Sequence, residues 1–205
     1  HTQDLFTALR AGAEIRLDDL EAALPKLEGV SFPPPLQALV HFLRAQVHFA
    51  HDRFTEALGE YDRALKLNPE FVTIYLMRAI TENAKGDFKA ALEASGAYEA
   101  AVGPDADLKL EVARARRGLN ELDEAERLLK SCLDEVADHS DCLIELAELL
   151  PVARHAELDA RLDNLKDFDA TLRAALDACI DDERKPAARA LHAAAKRVKA
   201  NSPVI

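Results

Sequence analysis

The sequence predicts an all-α fold, a solenoid of repeated helix-turn-helix units, and three observations carry that reading. Alanine recurs at Ala11, Ala45, Ala79, Ala113 and Ala147, each 34 residues after the last. A second set, Ala23, Ala57, Ala91 and Ala125, keeps the same step. Leu, Ala, Glu and Arg fall at helical spacing with little strand-like alternation, and aromatics make up only 5% of the chain. A fixed period of this length marks a supersecondary unit that cannot bury its apolar face alone and must stack on its neighbours.

The columns justify the elements in order. Leu20, Phe54, Phe88 and Leu122 open the second helix of each unit, and Leu27, Tyr61, Ser95 and Leu129 follow further along it. Small residues recur where helix backbones approach closely, and larger apolar residues recur where a gap between units must be filled. A first unit over 4–37 keeps Ala11, Leu20 and Ala23 but places Pro25 inside its second helix. The unit over 38–71 is the most regular, with Ala45, Phe54, Ala57, Tyr61, Ala64 and a closing Leu67-Asn68-Pro69. Units over 72–105 and 106–139 follow, the former with Gly86-Asp87 at its internal turn. Pro35 and Pro69 share a column that suits a helix start, where the missing amide hydrogen costs nothing. From Ser140 the pattern degenerates. Pro151 interrupts early and Asp159 replaces the small residue, so 140–205 reads as a degenerate repeat followed by capping helices near 152–165, 168–180 and 186–199. The 205 residues are therefore expected to form a single solenoid.

Charge and composition exclude several function classes. Lys and Arg number 26 against 37 Asp and Glu, a net charge of -11, which is the wrong sign for phosphate recognition and argues against a nucleic-acid partner. No apolar run has membrane-spanning length, so no membrane insertion is expected. No nucleophile stands beside a base and no glycine-rich phosphate loop occurs, so neither catalysis nor a cofactor is expected. Asp181-Asp182-Glu183 reads as solvated capping acids. His41 and His48 occupy packing positions, His51 lies one turn beyond His48, and His192 stands alone; no metal site is expected among them. Cys132, Cys142 and Cys179 match neither zinc-site nor redox-pair spacing and read as reduced packing thiols, with a Cys132–Cys142 disulfide as the alternative in an oxidising compartment.

Together the columns resemble the tetratricopeptide repeat family, with the resemblance clear over about 4–147 and nearest to consensus at 38–71. That resemblance implies a right-handed superhelix whose first helices line a concave groove. The residues it turns inward are Phe42, Gln46 and Phe49 in one unit, Leu76, Ile80 and Asn83 in the next, and Leu110, Arg114 and Arg117 in the third. These are the candidate partner-binding residues. They would suit a peptide that inserts apolar side chains and sets a carboxylate against the two arginines, since a guanidinium grips a carboxylate through paired hydrogen bonds. The alternative is that Arg114 and Arg117 pair with Glu111, Glu121 or other nearby acids, and that Phe42 and Phe49 pack inside the solenoid. The cationic clamp by which some family members hold chaperone C-termini is not reproduced: its places hold Phe42, Gln46, Met77, Asp107 and Glu111.

The expected function is a non-enzymatic protein-protein interaction scaffold that binds a protein or peptide in its groove. Two alternatives stand beside it: a recruiting segment of a larger bacterial enzyme, such as a glycosyl or sulfo transferase, and an envelope assembly factor. The chain begins at His1 rather than Met, as expected of a processed form, a tag remnant or an excised piece. The compartment stays open, with the cytoplasm favoured over the periplasm, and weak terminal repeats leave apolar edges on which a second copy could assemble.

Overall fold

The computed structural model describes residues 20–21, 24–27, 31–137 and 139–150. They form a 3-10 turn, Leu24–Leu27, and then the helices α1 (Pro34–Ala50), α2 (Phe54–Leu67), α3 (Thr73–Lys85), α4 (Phe88–Val102), α5 (Ala106–Gly118), α6 (Leu122–Glu135) and α7 (Ser140–Leu149). No strand occurs among the described residues. The capping helices expected beyond residue 150, with Asp159, Cys179, Asp181-Asp182-Glu183 and His192, lie outside them.

Local chemistry sets the helix ends. Pro34 and Pro35 occupy the first turn of α1. The Asp87 side chain caps α4 by accepting from the Ala90 amide, and Asp105 caps α5 by accepting from Leu108 N–H at 2.7 Å. Gly86 ends α3 with φ 88°, a left-handed conformation that costs glycine nothing. Asp52 (φ 58°) and Asn120 (φ 63°) take the same conformation after α1 and α5. All three stand one period apart, and Asp and Asn are the residues other than glycine that enter this region most readily. α7 stops at Leu149 because Leu150, which precedes Pro151, is extended (ψ 138°).

Helices pack as α1 on α2, α3 on α4 and α5 on α6, each pair then meeting the next. The first helices α3, α5 and α7 also touch in succession, which places them on the tighter, inner side of the array. The repeated alanines lie where backbones meet: Ala45, Ala57, Ala79, Ala91, Ala113, Ala125 and Ala147 are all buried. Apolar burial is divided between two clusters rather than gathered at one centre. One joins Phe42, Tyr61 and Ile74 at the α1–α3 end, and the other joins Leu129, Leu133, Leu143 and Leu146 at the α5–α7 end. The described chain is thus an all-α solenoid.

One expectation is corrected. Cys132 and Cys142 are not reduced packing thiols but form the disulfide given as the alternative, joining the last turn of α6 to the first turn of α7, with both residues fully buried. Their spacing along the chain carries no such signal. The reversal of direction between the two helices brings their Cα atoms to 6.6 Å, within bridging range.

Candidate functional site

The inner face is built from α1, α3, α5 and α7. Between the last three lies a cavity of about 250 Å³ lined by Leu76, Ile80, Asp107, Leu110, Glu111, His139, Ser140 and Asp141. Leu76, Ile80 and Leu110 supply apolar surface from α3 and α5, and acids from α5 and α7 supply the polar rim. Such a volume is small for a cofactor-sized ligand but large enough for a side chain.

Asn83, Arg114 and Arg117 lie beside this cavity in a hydrogen-bonded charge network. Asn83 donates to both the backbone carbonyl and the carboxylate of Glu111, each at 2.9 Å. Arg114 donates to Glu111 and to Glu145, each at 2.7 Å, and its remaining nitrogen stands 3.7 Å from Asp141. Arg117 bridges Glu145 and Glu148, each at 2.9 Å. The network therefore ties three consecutive first helices together. Burial works against the Arg114 charge, but Glu111, Glu145 and Asp141 outweigh it and hold the guanidinium protonated well above its ordinary range. Glu111 is almost wholly buried, and loss of hydration raises its carboxyl pKa despite the opposing pull of Arg114 and Asn83.

The residues expected on α1 stand in a different setting. Phe42 is buried with its ring 5.0 Å from that of Phe71 and 6.1 Å from that of Tyr61. Gln46 donates to the Tyr61 hydroxyl at 3.1 Å, and the half-buried Phe49 packs on Phe54 with centroids 5.7 Å apart. Desolvation holds the buried Tyr61 phenol neutral far above its ordinary range. None of the three α1 residues lines the cavity. The histidines have separate partners: His41 faces Glu60 at 2.6 Å, His48 accepts from Arg53, and His51 meets Glu21.

Glu145, Glu148, Asp141 and His139 belong to this face and were not anticipated from the sequence. Asp141, Glu145 and Glu148 sit in the degenerate unit, where the weakened columns no longer mark inward positions, and His139 closes the unit before it. Their spacing offered a partial signal, because Asp141, Glu145 and Glu148 follow one another at helical intervals on α7.

Comparison with known proteins agrees with this architecture. The family model described as tetratricopeptide repeat matches residues 38–71. No curated protein sequence is detectably similar to the chain. Among solved structures, a tetratricopeptide repeat protein from Parabacteroides merdae superposes with a TM-score of 0.62 at 17% identity, covering 92% of this chain and 71% of that one. A thermophilic repeat protein of Thermus thermophilus gives 0.59 at 20% identity, covering 86% and 96%. The second repeat domain of the human RPAP3 protein, solved in complex with an HSP70 peptide, gives 0.51 at 18% identity, covering 57% and 97%. The segment 38–71 thus matches the tetratricopeptide repeat model, and the described helices share the fold of tetratricopeptide repeat arrays.

Proposed function

We propose that the chain is a non-enzymatic protein-interaction scaffold whose inner face receives a segment of a partner protein. The observation that carries this reading is the cavity between α3, α5 and α7, where Leu76, Ile80 and Leu110 offer apolar surface beneath a polar rim. A partner side chain entering it exchanges water for apolar contact at roughly 25 cal/mol per Å² buried. Asn83 and Arg114 support the cavity from behind by holding Glu111, which lines it, and Arg117 joins them through Glu145. Phe42, Gln46 and Phe49 pack within the α1 end of the array. The peptide complex of the human RPAP3 repeat domain supports a peptide as ligand for such an architecture. An acidic C-terminal tail fits poorly, because Asp107 and Glu111 face the cavity where cations would be needed. Among the described residues, no helix is long and apolar enough to cross a membrane.

Selection of a random displayed peptide library against the full chain tests the proposal. Enriched peptides are expected to bind Ile80→Asp and Leu110→Asp at least about tenfold more weakly, in line with the cost of losing anchoring apolar contacts. Arg117→Ala should alter peptide preference without abolishing binding. Undiminished affinity of every enriched peptide for both Asp variants would remove the groove assignment.

A further inference from the structure

We propose that Cys132, His139 and Cys142 form a site for a zinc-class divalent cation when the cysteine pair is reduced, so that the α6–α7 junction alternates between a disulfide and a metal. His139 and its partner Asp107 also line the cavity, whereas Cys132 and Cys142 do not, and the metal readout below requires no peptide.

One ligand atom from each of the three residues lies within 4.8 Å of the others. Both sulfurs are buried in the apolar cluster at the α5–α7 end, and His139 closes over them from the start of α7. Two thiolates and an imidazole make a ligand set that selects zinc-like metals, and three protein ligands leave one tetrahedral position for water. The 6.6 Å separation of the cysteine Cα atoms lies toward the wide end of the range a disulfide accepts. Two thiolates on one tetrahedral zinc stand about 3.8 Å apart, so side-chain rotation rather than helix movement would separate the sulfurs.

His139 is oriented for this role. Its Nε2 lies 3.1 Å from Asp107 Oδ1 on α5, and its Nδ1 faces the Cys142 amide at 3.3 Å. A carboxylate on the outer ring nitrogen of a ligating histidine fixes the tautomer whose inner nitrogen is unprotonated, and a metal there would displace the Cys142 amide hydrogen that Nδ1 accepts as the cap of α7. Cys142 stands in the first turn of α7, where the helix terminus favours anionic sulfur.

The chemistry balances in two steps. A phosphine supplies two electrons while water supplies the oxygen and two protons, so the S–S bond splits into two thiols and phosphine oxide is left; a dithiol supplies both the two electrons and the two protons and becomes a disulfide. The divalent cation then displaces two thiol protons and gains two Cys–S bonds and one His–N bond.

The full chain, reduced with a phosphine and freed of it under anaerobic conditions, is titrated with cobalt and then with zinc. A single equivalent of cobalt should give a thiolate-to-cobalt charge-transfer band that zinc bleaches. The oxidised chain should give none. Cys132→Ser and Cys142→Ser should each abolish the band, and Asp107→Asn should weaken affinity by about tenfold through the freed imidazole. Alkylation followed by mass spectrometry reads the same site without any variant: zinc should protect Cys132 and Cys142 but leave Cys179 reactive. No band in the reduced chain, a band that persists in Cys142→Ser, or zinc protection confined to Cys179 would each overturn the site.

Discussion

At the scale of single residues, the left-handed column after each first helix shows how the repeat sets its turn. Asp52, Gly86 and Asn120 differ in chemistry yet share a backbone conformation, because each allows the chain to reverse before the second helix begins. A Cβ at Gly86 meets nothing within 4 Å, so the penalty for adding one lies in the backbone alone. Gly86→Ala is expected to cost about 1 kcal/mol in urea unfolding, whereas Asn120→Gly should change stability by only a few tenths. The buried Glu111 has a pH signature with a definite sign. Its folded pKa is raised by desolvation, so its stabilising contribution is complete below the ordinary carboxyl range and is lost as pH rises through the folded value. Glu111→Gln should therefore lose less stability than the parent between acid and neutral pH, as read from urea midpoints at successive pH values. Parallel pH profiles would contradict that role.

At the scale of the helix, side-chain volume is the controlling quantity. Ala57 and Ala91 are completely buried where second helices meet their neighbours, so added bulk has nowhere to go except into helix separation. Ala57→Leu and Ala91→Leu are each expected to destabilise by about 1–3 kcal/mol in chemical denaturation. Ala100 on α4 is exposed, and Ala100→Leu should stay within about 0.5 kcal/mol of the parent. Equal tolerance at Ala91 and Ala100 would mean that close backbone approach does not set the repeat. Gly118 carries a related constraint, since a Cβ there would run into the Phe88 ring.

At the scale of the whole molecule, the division of apolar burial among the described residues into two clusters makes stability local. The Cys132–Cys142 bridge belongs to the α5–α7 cluster and closes a short loop of sequence separation 10. A loop of that length restricts the unfolded chain by about 3 kcal/mol on the entropy account. Reduction in the presence of a chelator should therefore speed amide exchange in α6 and α7 while leaving α1 and α2 nearly as protected as before. Uniform loss of protection would show the array unfolding as one cooperative body. The charge network from Asn83 to Glu148 opposes such local opening, because it links consecutive first helices through hydrogen bonds and ion pairs that run from the buried Glu111 to the half-exposed Arg117 and Glu148.

The periodic part of this protein was readable before any coordinates. Side-chain size recurs every 34 residues, and helix pairing follows because small residues are needed wherever backbones meet and large ones wherever they do not. The apolar residues Leu76, Ile80 and Leu110 were likewise placed together through the family resemblance, and they do share a cavity. What the columns could not supply were interactions between side chains far apart along the chain. Arg114 and Arg117 could seek a ligand or pair with nearby acids until α7 brings Glu145 and Glu148 beside them, and Cys132 and Cys142 could be packing thiols or a disulfide until two antiparallel helices set them side by side. Periodicity encodes what each unit repeats; charge pairing and cross-links depend on distances that exist only once the units have stacked.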